Sequence, residues 1–174
     1  MKAVVLGGTS GMGREVARRL AERGDSVFLL GSRANNLARS AADLTSRHPK
    51  QLEAQYALCD LEHTDQFGEA LDAADAALEG FDTVVVTAAI FAPQEALEAD
   101  IDLARRLVTI NFANTVVFCE HVRKRLLSRG GGRLTVFSSV AGERGRKPVA
   151  IYGASDVRHA STSLDAIARS WRGS

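Results

Sequence analysis

The chain has 174 residues, 45% of them hydrophobic and 25% charged, with a formal net charge of +1. That is one domain's worth of sequence, residues 1–174, with enough apolar side chains for a core, and it excludes collagen-like, disulfide-scaffold and wholly disordered classes. The longest mostly apolar stretch, Val84 to Pro93, is too short to span a bilayer, so no membrane partner is expected.

Elements then follow in alternation. Lys2–Leu6 is a short apolar strand that runs into a glycine-rich turn. Met12–Arg23 is helical, with Val16, Ala17 and Leu20 on one face. Ser26–Leu30 is a second strand and Ala34–Arg47 a second helix. Leu52–Leu58 reads as a strand from the alternation of Leu52, Ala54, Tyr56 and Leu58. Thr64–Glu79 is helical, with Thr64 as its N-cap. Thr83–Thr87 is an apolar, β-branched strand. Ile101–Arg129 is a long helical stretch closed by Gly130–Gly132. Arg133–Ser138 is a fifth strand and Val149–Arg169 a last helix. Strands alternating with helices of these lengths predict an α/β fold, a doubly wound parallel sheet in a three-layer α/β/α sandwich. Right-handed crossovers give a Rossmann-like strand order, 3-2-1-4-5, with ligands at the carboxyl ends of strands 1 and 4.

Cys59 and Cys119 lie far apart with no C-x-x-C pattern, which fits a reducing compartment. The N-terminal residues show no signal-peptide cleavage pattern, so a cytoplasmic protein is expected. His48, His63, His121 and His159 have no metal-ligand spacing, and no metal is expected. Residues 121–174 carry a balance of +8 against −7 for the rest. No stacking aromatics interleave with these charges, which reads as solvated helix faces and not as a nucleic-acid surface.

The turn Gly7-Gly8-Thr9-Ser10-Gly11-Met12-Gly13 lies between the first strand and the first helix. Its first glycine permits a tight turn, the second admits a pyrophosphate to the backbone, and the third lets the helix pack closely. Helix N-terminal amides then face the phosphates, which makes Gly7, Thr9, Ser10, Gly11, Met12 and Gly13 candidate cofactor contacts. After the second strand stands Gly31-Ser32-Arg33. Where an NAD site usually has an acid for the ribose hydroxyls, Arg33 and Ser32 offer a cation and a hydroxyl to a 2′-phosphate. NADP(H) is therefore favoured over NAD(H), and Arg14 could add positive charge.

The pattern Gly7-x-x-x-Gly11-x-Gly13 resembles the short-chain dehydrogenase/reductase family, and later segments share the resemblance. Cys59-Asp60-Leu61 is similar to the family's adenine contact, which implies Asp60 and Leu61 as binding residues. Asn111, in Val108-Thr109-Ile110-Asn111-Phe112, resembles its helical asparagine. Phe137-Ser138-Ser139-Val140-Ala141-Gly142 resembles the catalytic serine segment, with Ser139 as the serine. Tyr152-Gly153-Ala154-Ser155 matches the start of the Y-x-x-x-K motif. Tyr152 follows Ser139 by 13 residues and Ser139 follows Asn111 by 28, as the family's spacing requires. The resemblance implies Tyr152 as acid/base at a substrate oxygen, Ser139 holding that oxygen, and Asn111 supporting a water chain to the lysine. It also implies a small-molecule substrate, a carbonyl or an alcohol, and a homo-oligomer formed through Ile101–Arg129 and Val149–Arg169.

The chain departs from the family at four places. The lysine position is Asp156, whose carboxylate one turn from Tyr152 would raise the phenol pKa, although it could accept hydrogen bonds from ribose hydroxyls. His159, Lys147 and Arg146 are the nearby cations, none at the lysine's position. The N-N-A-G segment is Thr87-Ala88-Ala89-Ile90; Ala88 and Ala89 still admit a cofactor, while the lost glycine and amides weaken support of the central strand. The residue before the first glycine is Leu6 where the family has threonine. The chain ends at Trp171-Arg172-Gly173-Ser174, before the family's sixth and seventh strands and substrate-covering loop. It is then a minimal form, an excised piece, or half of an assembly whose partner supplies the missing walls. Alternatives to a reductase are a non-catalytic NADP(H)-binding or partner subunit, and a redox-neutral isomerase, lyase or cyclase using Tyr152 and Asp156 as an acid/base pair. Phe91–Ala99, the remaining loop, carries no distinctive chemistry.

Overall fold

The computed structural model describes residues 1–48, 54–139, 141 and 147–155. Five parallel strands form one sheet: β1 (Lys2–Leu6), β2 (Ser26–Gly31), β3 (Gln55–Leu58), β4 (Thr83–Val86) and β5 (Arg133–Val136). Their order is β3-β2-β1-β4-β5, as the alternation of elements predicts. β1 is central, with Val4 level with Phe28 on one side and with Val84 on the other. Its sequence is a near-continuous apolar run because helices cover both faces.

Alternate residues of each strand feed opposite layers. Ala3, Val5, Val27 and Leu29 pack against Ala17 and Leu20 of α1 (Gly11–Glu22) and Leu37 and Leu44 of α2 (Ala34–Arg47). Val4, Leu6, Phe28 and Leu30 pack against Phe67 and Leu71 of α3 (Phe67–Leu78) and Phe118 and Val122 of α6 (Thr115–Ser128). The edge-to-face pair Phe67–Phe118, with centroids 5.3 Å apart, ties α3 to α6 across this second layer. Among the described residues no helix is long and apolar enough to cross a membrane.

Several elements differ from the sequence reading. The third helix does not start with Thr64 as a side-chain cap: Thr64–Gln66 is a 3-10 turn, and the α-helix begins at Phe67. β3 starts at Gln55; Ala54, just before it, is buried near Leu44, while Tyr56 and Leu58 stay exposed on this edge strand. A short helix, α4 (Gln94–Ala99), occupies the segment read as loop, after Pro93 at its N-cap. The stretch from Ile101 is helical to Ser128 but not uniform. α5 (Ile101–Val108) is capped by the Asp100 carboxylate, which accepts from the amides of Asp102 and Leu103 at 3.0 Å. It widens into a π-helical segment, Thr109–Asn114, before α6. The final helix is described as α7 (Ala150–Ser155), entered through a 3-10 turn at Lys147–Val149. Leu52 and residues 156–169 of the predicted last helix lie outside the described residues, as do Arg146, Asp156 and His159.

The two helices of the first layer are joined by ions as well as by apolar contact. Asp43 on α2 accepts from Arg47 at 2.8 Å and from Arg18 on α1 at 3.0 Å. These guanidinium hydrogen bonds, Arg47 first, hold its carboxyl below the ordinary value. A depressed carboxylate stabilises the fold above its unfolded pKa, and that stability is lost as pH falls through the folded value. Asp43→Asn should therefore cost about 0.5–1 kcal/mol at neutral pH. The difference between the proteins in urea unfolding should close once the pH is below the folded pKa of Asp43.

Candidate functional site

A cleft of about 300 Å³ opens at the carboxyl ends of β1, β2 and β4, at the switch point of the sheet. Every residue predicted to contact cofactor lines it except Arg33. On one side lie Gly7, Thr9, Ser10, Gly11, Met12 and Gly13 of the first turn, and across from them Ser32, Asp60 and Leu61, with Ala88 and Ala89 after β4. Arg33, next to Ser32, is the exposed N-cap of α2, outside the lining. Among the described residues its guanidinium has no ion-pair partner.

The glycine turn is built by close approach. Gly7 has a φ of +91°, and a Cβ there would stand 2.7 Å from the Ala88 nitrogen and 2.7 Å from Thr87 Oγ1. A Cβ on Gly13 would run into the Gly7 carbonyl oxygen and the same Thr87 hydroxyl. The third glycine thus packs the helix on the turn and on the end of β4. Gly11 needs its conformation instead: φ is +49°, with open space around it. The α1 N-terminus that results has no side-chain cap from Ser10 and no acid in its first turn. Its first amides remain available to an anion. Arg14 folds back on the turn and donates from Nε to the Thr9 carbonyl at 3.1 Å.

Within the substituted N-N-A-G segment Thr87 itself supports the central strand: its Oγ1 donates to the Leu6 carbonyl at 3.0 Å, beside the Thr87 amide bond to the same oxygen at 2.9 Å. The threonine thus links β4 to the end of β1 by side chain and by main chain.

The π-helical segment holds the other cleft loops. Asn111 is buried, and its amide embraces Ile90: Oδ1 accepts from the Ile90 amide at 2.9 Å, and Nδ2 donates to the Ile90 carbonyl at 2.8 Å. Nδ2 also lies 3.4 Å from Ser155 Oγ. Asn114 donates to the Leu61 carbonyl at 2.6 Å. Two asparagines three residues apart therefore fix the loops after β3 and after β4. Thr115 Oγ1 donates to the Ile110 carbonyl within the widened turn. π-helical turns of this kind recur at functional sites.

Tyr152 and Ser139 stand outside the cleft lining. Ser139 Oγ accepts from the Ala141 amide at 3.2 Å, and the Ala141 carbonyl lies against the Cα of Gly153, where a Cβ would collide. The serine segment and the tyrosine helix are therefore adjacent. Tyr152 packs, half-buried, on the apolar group of Leu97, Ala104 and Leu107, with its ring edge-to-face on Phe91 at 5.1 Å. Asn111 reaches this helix through Ser155. Asp156 and the serine segment's Val140 and Gly142 lie outside the described residues.

Cys59 lines the cleft, but burial pushes its thiol up to about 12, with a smaller push from the Asp60 charge, so it is a protonated wall and not a nucleophile at neutral pH. Among the described residues no group of His, Cys, Asp and Glu could hold a metal. The sequence reading missed Thr87, Asn114, Gln94 and Phe91. Of these, the sequence carried a signal only for α4, where Pro93 stands at the helix start.

The glycines give a direct test of the cleft's construction. Gly13→Ala should lower stability by about 2–3 kcal/mol, because backbone atoms must move. Gly11→Ala should cost about 1 kcal/mol, from its positive φ alone. Thermal unfolding of the two variants checks the order, which reverses if Gly13 is not at a close approach.

Residues 1–165 match the short chain dehydrogenase family. The chain is 30% identical over 155 residues to a cis-4-hydroxycyclohexanecarboxylate dehydrogenase of Sinomonas cyclohexanicum, covering 87% of this chain and 60% of that protein. It is 32% identical over 155 residues to a 2-dehydro-3-deoxy-L-rhamnonate dehydrogenase (NAD(+)) of Sphingomonas sp. (strain SKA58), covering 88% and 59%. Among solved structures it is similar to an actinorhodin polyketide ketoreductase variant with NADPH, at a TM-score of 0.81 and 28% identity over 88% of this chain and 59% of that one. A short-chain type dehydrogenase/reductase from Mycobacterium ulcerans gives a TM-score of 0.81 at 26% identity, over 88% and 56%. The chain thus spans about three fifths of the length of these two curated relatives. Sheet order, glycine turn and matched residues together make this chain a member of the short-chain dehydrogenase/reductase family.

Proposed function

We propose that this chain, read as one nucleotide-binding domain, binds NADP(H) in the cleft and acts as an oxidoreductase on a small carbonyl or alcohol. The observation that carries the reading is the uncapped α1 N-terminus opening onto the cleft, held there by the close approach of Gly7 and Gly13 to Thr87. The amides of Gly11, Met12 and Gly13 hold the pyrophosphate. Ser32 and Arg33 take the 2′-phosphate, Asp60 and Leu61 border the adenine, and Ala88 and Ala89 leave room for the nicotinamide half. The similar ketoreductase was solved with NADPH, whereas the rhamnonate dehydrogenase is named for NAD(+). The relatives thus point in opposite directions, and the guanidinium of Arg33 favours NADP(H).

Bound nicotinamide supplies or accepts a hydride. Tyr152 gives or takes the proton at the substrate oxygen, and Ser139 holds that oxygen. Asn111 acts through Ile90 and Ser155, keeping the β4 loop and the tyrosine helix in register. A second copy covers Val108, Phe112 and Val116, which form an exposed stripe at helical spacing on α5, the π-helical segment and α6. Two free thiols suit a reducing cytoplasm.

Calorimetry tests the cofactor reading first. NADPH should bind at least about tenfold more tightly than NADH, and Arg33→Ala should remove most of that ratio. Absence of binding by either nucleotide overturns it, and so does an NADPH that no aldehyde or ketone of a broad panel can oxidise. Light scattering should give twice the 18.6 kDa chain mass, falling to one chain in Phe112→Glu.

A further inference from the structure

We propose that Phe91 sets substrate specificity, as the wall beside Tyr152 that selects carbonyl compounds with an apolar, above all an aryl, group next to the carbonyl. The proposal rests on the reading of Tyr152 as the residue that meets the substrate oxygen. Phe91 is 65% exposed, yet its ring is not loosely placed. It stands edge-to-face on the Tyr152 ring, with centroids 5.1 Å apart and planes at 79°. The chain is fixed on both sides of it. Before it, Asn111 binds both the amide and the carbonyl of Ile90. After it, buried Gln94 accepts from the Ile151 amide at 3.1 Å through Oε1 and donates to Glu98 at 2.8 Å through Nε2. The loop is thus tied to the residue that precedes Tyr152.

A ring with its centroid 5.1 Å from that of the phenol is within reach of a substituent that flanks an oxygen bound there. From Ala88 to Pro93 the loop carries Ala, Ala, Ile, Phe, Ala and Pro, with no side-chain donor, acceptor or charge. A carboxylate set against this loop loses water and finds no partner among the loop's side chains. An aryl group gains the exposed area of Phe91 and an offset or edge-to-face stacking partner. The loop is therefore distinctive for what it lacks.

The test uses the full chain with Tyr56→Phe, which leaves Tyr152 as the one tyrosine of the two in the sequence. Its ring signals are followed by NMR on titration with acetophenone and with pyruvate, with and without NADPH. Acetophenone should perturb Tyr152 with a Kd about tenfold or more below that of pyruvate; Phe91→Ala should weaken acetophenone about tenfold, leave pyruvate within about twofold, and Phe91→Trp should restore the preference. The proposal is overturned if acetophenone leaves Tyr152 unperturbed, if pyruvate binds equally well, or if Phe91→Ala changes acetophenone affinity by less than about twofold. NADPH oxidation is read separately. Phe91-dependent acetophenone binding with no turnover sinks the oxidoreductase reading alone, and turnover with a preference indifferent to Phe91 sinks this one alone.

Discussion

Everything at the cleft depends on one close approach at the carboxyl ends of β1 and β4, the switch point of the sheet. Gly7, Gly13 and Thr87 meet there with no room for a Cβ on either glycine. Because they meet, the start of α1 lies over the end of the central strand, where its amides face the cleft. Thr87 completes the contact with a hydroxyl that both fills the space beside Gly13 and bonds the Leu6 carbonyl. A helix held a methyl group further away would close the gap with side chains, and the amides would no longer line an anion site.

A second constraint is set by the π-helical segment between α5 and α6. Its asparagines spend their side chains on main-chain atoms of other loops, Asn111 on Ile90 and Asn114 on Leu61. A buried amide with partners on both sides rigidifies what it touches, since release would leave several polar groups unpaired. The consequence is directional. The loop after β4 is fixed at Ile90, Phe91 is thereby presented to Tyr152, and Gln94 returns the chain to the tyrosine helix. The cofactor cleft and the tyrosine are thus linked by a short run of hydrogen bonds and one aromatic contact.

How much of this was legible beforehand differs by residue. Glycines with special φ or close approach announce themselves by spacing after a strand, and Gly7, Gly11 and Gly13 stand where that spacing puts them. The strand order follows from alternation and crossover handedness. Asn111 was legible as a site residue, but not its grip on Ile90, because the two are 21 positions apart and only the sheet and α5 bring them together. Phe91 was featureless in the sequence for the same reason: an apolar loop residue acquires meaning from the ring it faces.

The sequence by itself determined the parallel sheet, its order and the phosphate-type turn, since these rest on local periodicity and on which residues lack a Cβ. Tertiary structure alone decided that Thr87 would brace β1, that two helical asparagines would hold two cleft loops, and that Phe91 and Gln94 would attend Tyr152. Each of those is a contact between elements distant in the chain, fixed by packing on the sheet, and no local pattern encodes which polar group will find which partner.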